Sequence, residues 1–205
     1  MGKVFIIGVG PGNFDLLTLR AVNALALCQA AVAGDATLTP SLMDFIKEHY
    51  PNLRIIVLDK RHRGDGVDLV IRYARSGLNV AHLKNGDPAL FGGLEDELIK
   101  LSSLGISYEV VPGVSSISAA CADLGIFPTS RNNGYMGFIV INGHDAPLDT
   151  QIKALRLLGR GFILMPRSDY LVEVCREFKC REAVNVERGK GRTLRLVFVE
   201  SGSNA

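Results

Sequence analysis

The sequence predicts an α/β fold built on a parallel sheet covered by helices, and three observations lead there. Strand-like apolar runs alternate with stretches of helical period. The joints between them are short and rich in Gly and Pro. An apolar content of 47% over 205 residues supplies a full core for one large domain or two small ones.

The elements follow in order. Val4–Ile7, Ala31–Ala33, Arg54–Leu58, Asn79–Leu83 and Tyr108–Val111 read as strands. Between them, Leu16–Ala30, Ser41–Tyr50, Val67–Ser76 and Leu94–Leu104 read as helices. A further helix, Ser115–Leu124, leads to a loop holding Pro128 and Asn132-Asn133-Gly134, where the pattern restarts. The restart gives strand Phe138–Ile141, helix Asp149–Leu158, strand Phe162–Met165, helix Tyr170–Phe178 and strands Ala183–Val186 and Leu194–Val199. The loop at 127–135 is the expected boundary, with an N-terminal α/β domain at 1–126 and a smaller C-terminal one at 127–205.

Several function classes fall away on composition. A net charge of +2 is too small to argue for nucleic acid. No run of 18 apolar residues exists to span a membrane. Met1 to Ile7 passes at once into Gly8-Val9-Gly10-Pro11-Gly12, which reads as a buried first strand rather than a signal peptide. Cys28, Cys121, Cys175 and Cys180 are scattered apart from one CxxxxC pair, so neither a disulfide framework nor a zinc site is expected. With His49, His62, His82 and His144 equally scattered, no metal is expected, and the cytoplasm is the expected compartment.

Four segments carry chemistry. Asn85-Gly86-Asp87-Pro88 follows a buried strand, so it puts bare backbone, one carboxylate and a rigid bend at the edge of a sheet. Such edges bind ligands in open α/β folds, although Gly, Asp and Pro also make ordinary turns. Gly8-Val9-Gly10-Pro11-Gly12 leads from strand to helix and lets a ligand approach backbone N–H groups. It is not a dinucleotide fingerprint: the third glycine would fall at Asn13, and Pro11 lies inside the loop. Asp35 could pose as the ribose acid of a nicotinamide site, but Gly34-Asp35 also makes a plain turn. In Val111-Pro112-Gly113-Val114-Ser115-Ser116, either serine could cap the next helix or reach a ligand. In Ile141-Asn142-Gly143-His144-Asp145, His144 could act as acid or base or serve as a turn cap. No serine or carboxylate stands at triad-like spacing from it.

Taken in order, Gly8-x-Gly10-Pro11-Gly12 with Leu17-Thr18-Leu19, Gly86-Asp87-Pro88 with Phe91-Gly92, Val111 to Ser116, Pro128-Thr129-x-Arg131 and Gly143-His144 resemble the tetrapyrrole methyltransferase family. Each motif is weak alone, but five in the right order across about residues 4–200 are specific. The resemblance implies a two-domain tetrapyrrole methylase fold, mainly parallel in the N-terminal domain, with a smaller mixed sheet and helices in the C-terminal one. It implies a homodimer that uses S-adenosylmethionine, held between the domains, to methylate a carbon of uroporphyrinogen III or a precorrin, on the routes to sirohaem and cobalamin.

Carried over by position, the resemblance makes Pro11, Asn85, Gly86, Asp87, Ser115, Ser116 and Met165 contacts of the cofactor. A last contact is expected near Arg188 or Gly189. A substrate with up to eight carboxylates calls for a cationic rim, for which Lys60-Arg61-His62-Arg63 is suited, Arg61 and Arg63 foremost, together with Arg131 and then Arg20 and Arg167. No catalytic residue is assigned; Asp87 and His144 are the candidates to assist a departing proton. The chain departs from the family pattern at Asn85, where many members have Gly, at Ser130, where His often precedes Arg131, and in its short C-terminal half. Two other readings stay open, a catalytically degenerate family member with a regulatory role and a NAD(P)-binding oxidoreductase.

Overall fold

The computed structural model describes residues 1–59, 61–184 and 195–201, which form two compact units divided after Ser116. The first unit runs β1 (Val4–Gly8), α1 (Leu19–Ala26), β2 (Ala30–Gly34), α2 (Pro40–His49), β3 (Arg54–Leu58), α3 (Gly66–Arg75), β4 (Val80–Lys84), α4 (Pro88–Phe91), α5 (Glu95–Ser103) and β5 (Tyr108–Val111). Its five strands are all parallel, in the order β3-β2-β4-β1-β5. The three central strands are nearly continuous apolar runs because both of their faces are covered.

Strand order dictates where the helices go. The steps from β1 to β2 and from β2 to β3 run one way along the sheet, and those from β3 to β4 and from β4 to β5 run the other. Since parallel crossovers share one hand, the two pairs of steps place their helices on opposite faces. The core bears this out. Phe5, Ile7, Ala31, Ala33, Ala81 and Leu83 pack on Ala24 and Leu25 of α1 and Leu42 and Ile46 of α2. Val4, Ile6, Ala30, Val32 and Val80 pack on Val70, Ile71 and Ala74 of α3 and Leu101 of α5. The chain therefore leaves β4 toward one face while its neighbours β1 and β2 send theirs to the other. Open α/β sheets form their ligand-binding crevice at such a divergence, which here falls at the C-terminal end of β4.

The second unit holds α6 (Ser116–Leu124), β6 (Ile139–Asn142), α7 (Leu148–Leu158), β7 (Arg160–Leu164), α8 (Ser168–Glu177), β8 (Lys179–Val184) and β9 (Arg195–Glu200). Its sheet runs β6-β7-β9-β8, with β6 and β7 parallel and the other two pairings antiparallel. Phe162 is its central side chain, wholly buried, set edge-on to Phe138 at 5.7 Å and tilted on Phe198 at 5.0 Å. Ile117, Ala120 and Ile126 cover that face, while Leu155, Val174 and Phe178 cover the other.

The expected mixed α/β organisation holds, with local departures. α1 is shorter than the run Leu16–Ala30, because Thr18 caps it by accepting a hydrogen bond from the Ala21 amide at 3.1 Å. The short helix α4 was not anticipated. β8 begins at Lys179, four residues before the expected strand, because its charged residues form an edge strand rather than an apolar one. Lys179 and Arg181 reach Glu200 across the ladder, and Glu182 pairs with Arg195 at 2.6 Å.

The expectation of no disulfide framework needs one correction, since Cys175 and Cys180 are joined by a disulfide. α8 ends at Glu177 and β8 starts two residues later, which brings the two Cα atoms to 5.6 Å. Cys28 and Cys121 are free thiols. No described helix is long and apolar enough to cross a membrane.

Two outcomes follow. Thiol titration of the denatured protein should find two reactive groups without reductant and four with it. Phe162→Ala should lower the stability of the second unit by about 3–5 kcal/mol in chemical denaturation.

Candidate functional site

The crevice at the end of β4 is built from backbone. Beyond Gly8 the chain stays in register for one residue, with the Val9 amide donating to the Lys84 carbonyl at 2.9 Å. Gly10 and Gly86 then form an isolated bridge in which the Gly86 amide donates to Gly10 at 2.7 Å and the Gly10 amide returns at 3.3 Å. Gly86 has φ +60°, a conformation that disfavours every β-branched residue. Gly113, after β5, closes the third side. A Cβ on Gly113 would lie 2.2 Å from the Gly86 carbonyl oxygen, and one on Gly8 would lie 2.6 Å from the Gly113 nitrogen. Three strand ends thus meet with no room for a Cβ at Gly8 or Gly113, and with a backbone at Gly86 that side chains disfavour.

Two threonines lock the frame from outside. Thr39 caps α2, accepting from the Leu42 amide at 3.4 Å, and donates its hydroxyl to the Gly12 carbonyl at 2.6 Å. Thr18 donates to the Pro112 carbonyl at 3.4 Å while it caps α1. Sequence reasoning gave neither a part in the site. For Thr39 the signal was present, since Thr followed by Pro40 is a helix start.

The expected site residues of the first unit gather around this frame. Pro11 stands half-buried in the turn between Gly10 and Gly12. Asn85 donates its amide to the Ala36 carbonyl at 3.3 Å, which ties the end of β4 to the loop after β2. Asp87 caps α4, its Oδ1 accepting from the Ala89 amide at 3.0 Å, with Pro88 buried at the first helical position. Ser116 opens α6 with its amide nitrogen beside Gly86, and Ser115 precedes it. Gly34 and Thr37 close a hydrogen-bonded turn around Asp35 at 2.9 Å.

Behind the crevice lies a buried ionic cluster. Glu97 of α5 takes a 2.6 Å hydrogen bond from His82 Nδ1 on its Oε1. Lys84 Nζ stands 2.9 Å from its Oε2, an ion pair outside hydrogen-bond geometry. Burial raises the Glu97 pKa, but the His82 hydrogen bond and the charges of His82 and Lys84 outweigh it and hold the carboxyl below its ordinary range.

In the second unit Met165 and His144 also sit at strand ends, and Arg131 does not. Met165 follows β7 and is the one described non-glycine residue with positive φ, at 49°, a strained conformation held by its amide donating to the Arg195 carbonyl at 2.7 Å. His144 follows β6, exposed, in a turn where its amide donates to Asn142 Oδ1 at 3.1 Å and Gly143 donates to the Leu164 carbonyl at 2.7 Å. Arg131 is exposed at the tip of a loop closed by Ser130 and Tyr135. Arg160 holds that loop: it donates to the Phe127 and Pro128 carbonyls at 3.3 Å, and its guanidinium lies 3.3 Å from the Tyr135 ring centre.

The cationic candidates divide. Arg61 is exposed after β3. Arg20 is bound by Glu109 at 2.9 Å, and Arg167 by Asp169 at 3.0 Å, with its guanidinium over Tyr170. The side chain of Arg63 and all of Lys60, Arg188 and Gly189 lie outside the described residues. Among the described residues no cluster of His, Cys, Asp and Glu could hold a metal ion.

Comparison with known proteins decides the family. Residues 3–189 match the family model for tetrapyrrole (corrin/porphyrin) methylases. The chain belongs to that family.

Among curated members, it is 31% identical over 182 residues to a sirohaem synthase of Chromobacterium violaceum, covering 86% of this chain and 38% of that one. It is 35% identical over 156 residues to a uroporphyrinogen-III C-methyltransferase of Pseudomonas aeruginosa, covering 72% and 61%. The chain therefore spans from about two fifths to three fifths of the length of these two methylases. A solved uroporphyrin-III C-methyltransferase of Thermus thermophilus superposes with a TM-score of 0.72 at 26% identity, over 98% of this chain and 92% of that one. A cobalt precorrin-4 methyltransferase reaches 0.75 at 18% identity, over 97% and 94%, and shares the methylase fold.

Two results test the frame. Gly113→Ala forces a carbon to within 2.2 Å of backbone and should lower the melting temperature by several degrees or more. Glu97→Gln should cost about 1–3 kcal/mol at pH 7. Because the folded pKa of Glu97 is depressed, its contribution is present above the ordinary glutamate value of 4.5. The difference between the proteins should close as the pH falls through the lower folded value, in denaturation curves taken from pH 7 to pH 3.

Proposed function

We propose that this methylase transfers a methyl group from S-adenosylmethionine to a carbon of a tetrapyrrole, a uroporphyrinogen or precorrin on the routes to sirohaem and cobalamin. The observation that carries the reading is the side-chain-free frame of Gly8, Gly86 and Gly113 at the switch point, ringed by Asn85, Asp87, Ser115 and Ser116. Its surface of small residues, amides and carbonyls suits an adenosyl ligand that carries a sulfonium and an amino-acid zwitterion, and Lys84, the described cation at the end of β4, is already paired with Glu97. A Thermus thermophilus relative of the same fold has been solved with S-adenyl homocysteine, at 23% identity and a TM-score of 0.71 over 97% of both chains.

The chemistry asks for positioning. S-adenosylmethionine, when bound, supplies an electrophilic methyl, and an electron-rich pyrrole carbon is already a nucleophile. What remains for the protein is to hold the reacting atoms about 3–3.5 Å apart and exclude water. Pro11, Asn85, Gly86, Asp87, Ser115 and Ser116 of the first unit and Met165 of the second are the proposed donor contacts. Asp87 spends its carboxylate on the α4 cap, so its part is to shape the turn; His144, exposed in its own turn, is the freer of the two groups to accept a proton. Arg61, Arg63 and Arg131 are the proposed partners of substrate carboxylates. The same reading divides the chain near residue 127 and makes the enzyme a homodimer of the cytoplasm. Sedimentation of the purified protein should give twice the 22.2 kDa chain mass.

Incubation with labelled S-adenosylmethionine and a panel of uroporphyrinogen and precorrin substrates, read by mass and carbon NMR, should yield one methylated product. Binding of the donor without turnover of any of them would favour the degenerate, regulatory reading, and stabilisation by NAD(P) in its place would overturn both. Gly86→Val, a β-branched residue at φ +60°, should abolish binding of S-adenosylhomocysteine in calorimetry.

A further inference from the structure

Residues 85–94 run from the end of β4 at Lys84 to the start of α5 at Glu95, and within this excursion lie Asn85, Gly86, Asp87 and α4. Both ends of the excursion are held by one carboxylate. Glu97, in the first turn of α5, is 4% exposed, and its two oxygens are divided between His82 at 2.6 Å and Lys84 at 2.9 Å.

We propose that Glu97 is a positioning residue for the methyl donor, clamping α5 to the end of β4 so that Gly86 and Asp87 are presented at a fixed height in the crevice. The inference rests on the reading of residues 85–87 as donor contacts.

Three features support it. Lys84 is the last residue of β4, so its side chain is fixed by α5 while its carbonyl is fixed by the Val9 amide at 2.9 Å. Two residues later Gly86 must meet Gly10, and a strand end free to shift would lose that bridge. His82 and Lys84 point to the same face of the sheet, among Val80, Val70 and Leu101, where apolar side chains would pack at no desolvation cost. A buried ionic cluster there offers what packing does not: one directed geometry. The Gly66 backbone against the other side of the His82 ring completes the enclosure, since a Cβ on Gly66 would lie 3.3 Å from Nε2.

The test titrates S-adenosylhomocysteine calorimetrically into the full chain, at one temperature well below all melting points, for wild type, Glu97→Gln and Leu101→Ala. Leu101 is fully buried one turn further along the same helix and supplies neither the hydrogen bond to His82 nor the ion pair to Lys84, so its truncation loosens α5 while both contacts of Glu97 stay in place. The expected result is a donor dissociation constant raised about tenfold or more in Glu97→Gln, and a wild-type constant in Leu101→Ala despite its lower melting temperature. An unchanged constant in Glu97→Gln overturns the proposal. An equal rise in Leu101→Ala overturns it too, because the effect is then general loosening. Should Glu97→Gln fail to fold, Lys84→Met decides alone: it keeps the stem and removes the charge, and wild-type binding in it overturns the clamp. Wild-type protein that binds no S-adenosylhomocysteine overturns the donor-site reading, and with it the proposal.

Discussion

Contact between the backbones of Gly8, Gly86 and Gly113 is the constraint from which the first unit's site follows. Parallel strands cannot be joined by tight turns, so each strand end sends its chain away over a helix, and neighbouring ends normally diverge. Here the ends of β1, β4 and β5 are drawn together instead, with a carbonyl where a Cβ would otherwise stand. The Gly10–Gly86 bridge extends the sheet past its last regular rung and turns a loose loop into a wall. Side chains then work at the rim: Thr39 on Gly12, Thr18 on Pro112 and Asn85 on Ala36 each fix a carbonyl of a different loop.

Charge is used differently in the two units. In the first, the buried carboxylate Glu97 answers His82 and Lys84 beneath the crevice. In the second, Arg160 is the buried cation, 7% exposed, and it gathers Glu200, two loop carbonyls and the Tyr135 ring. Arg160 ties a loop to β7, and Glu97 ties α5, and with it the end of the loop that precedes α5, to β4. Such ties fix loops that carry little apolar surface of their own, for which hydrophobic packing offers no direction. Met165, held at positive φ at the end of β7, is the second unit's sign of local strain at a strand end.

Much of this was legible in the chain. Short runs between Gly- and Pro-rich joints located β1, β3 and β5 closely: β1 is buried on both faces and has no polar face to blur the pattern, while the edge strands β3 and β5 kept enough β-branched residues to show beside Arg54 and Glu109. The Gly-Asp-Pro turn was visible, and so was the choice between bend and binding loop; the structure adds that Asp87 is a helix cap. Contacts across long separations were not legible. Nothing in Gly10 or Gly86 alone announces that residues 76 apart will bridge, since that depends on β4 lying beside β1 in the strand order. The Cys175–Cys180 link was hidden for a related reason: its spacing allows a bridge only if α8 stops at Glu177, and the charged edge strand that follows masks that stop.

Amide hydrogen exchange at Gly86, followed with and without saturating S-adenosylhomocysteine, tests the central claim most directly. The account predicts an amide already protected in the free protein, because it donates to the Gly10 carbonyl at 2.7 Å, and slowed further when the ligand rests on the same turn. A Gly86 amide that exchanges as fast as an unstructured one, or whose rate does not change on ligand binding, would contradict it.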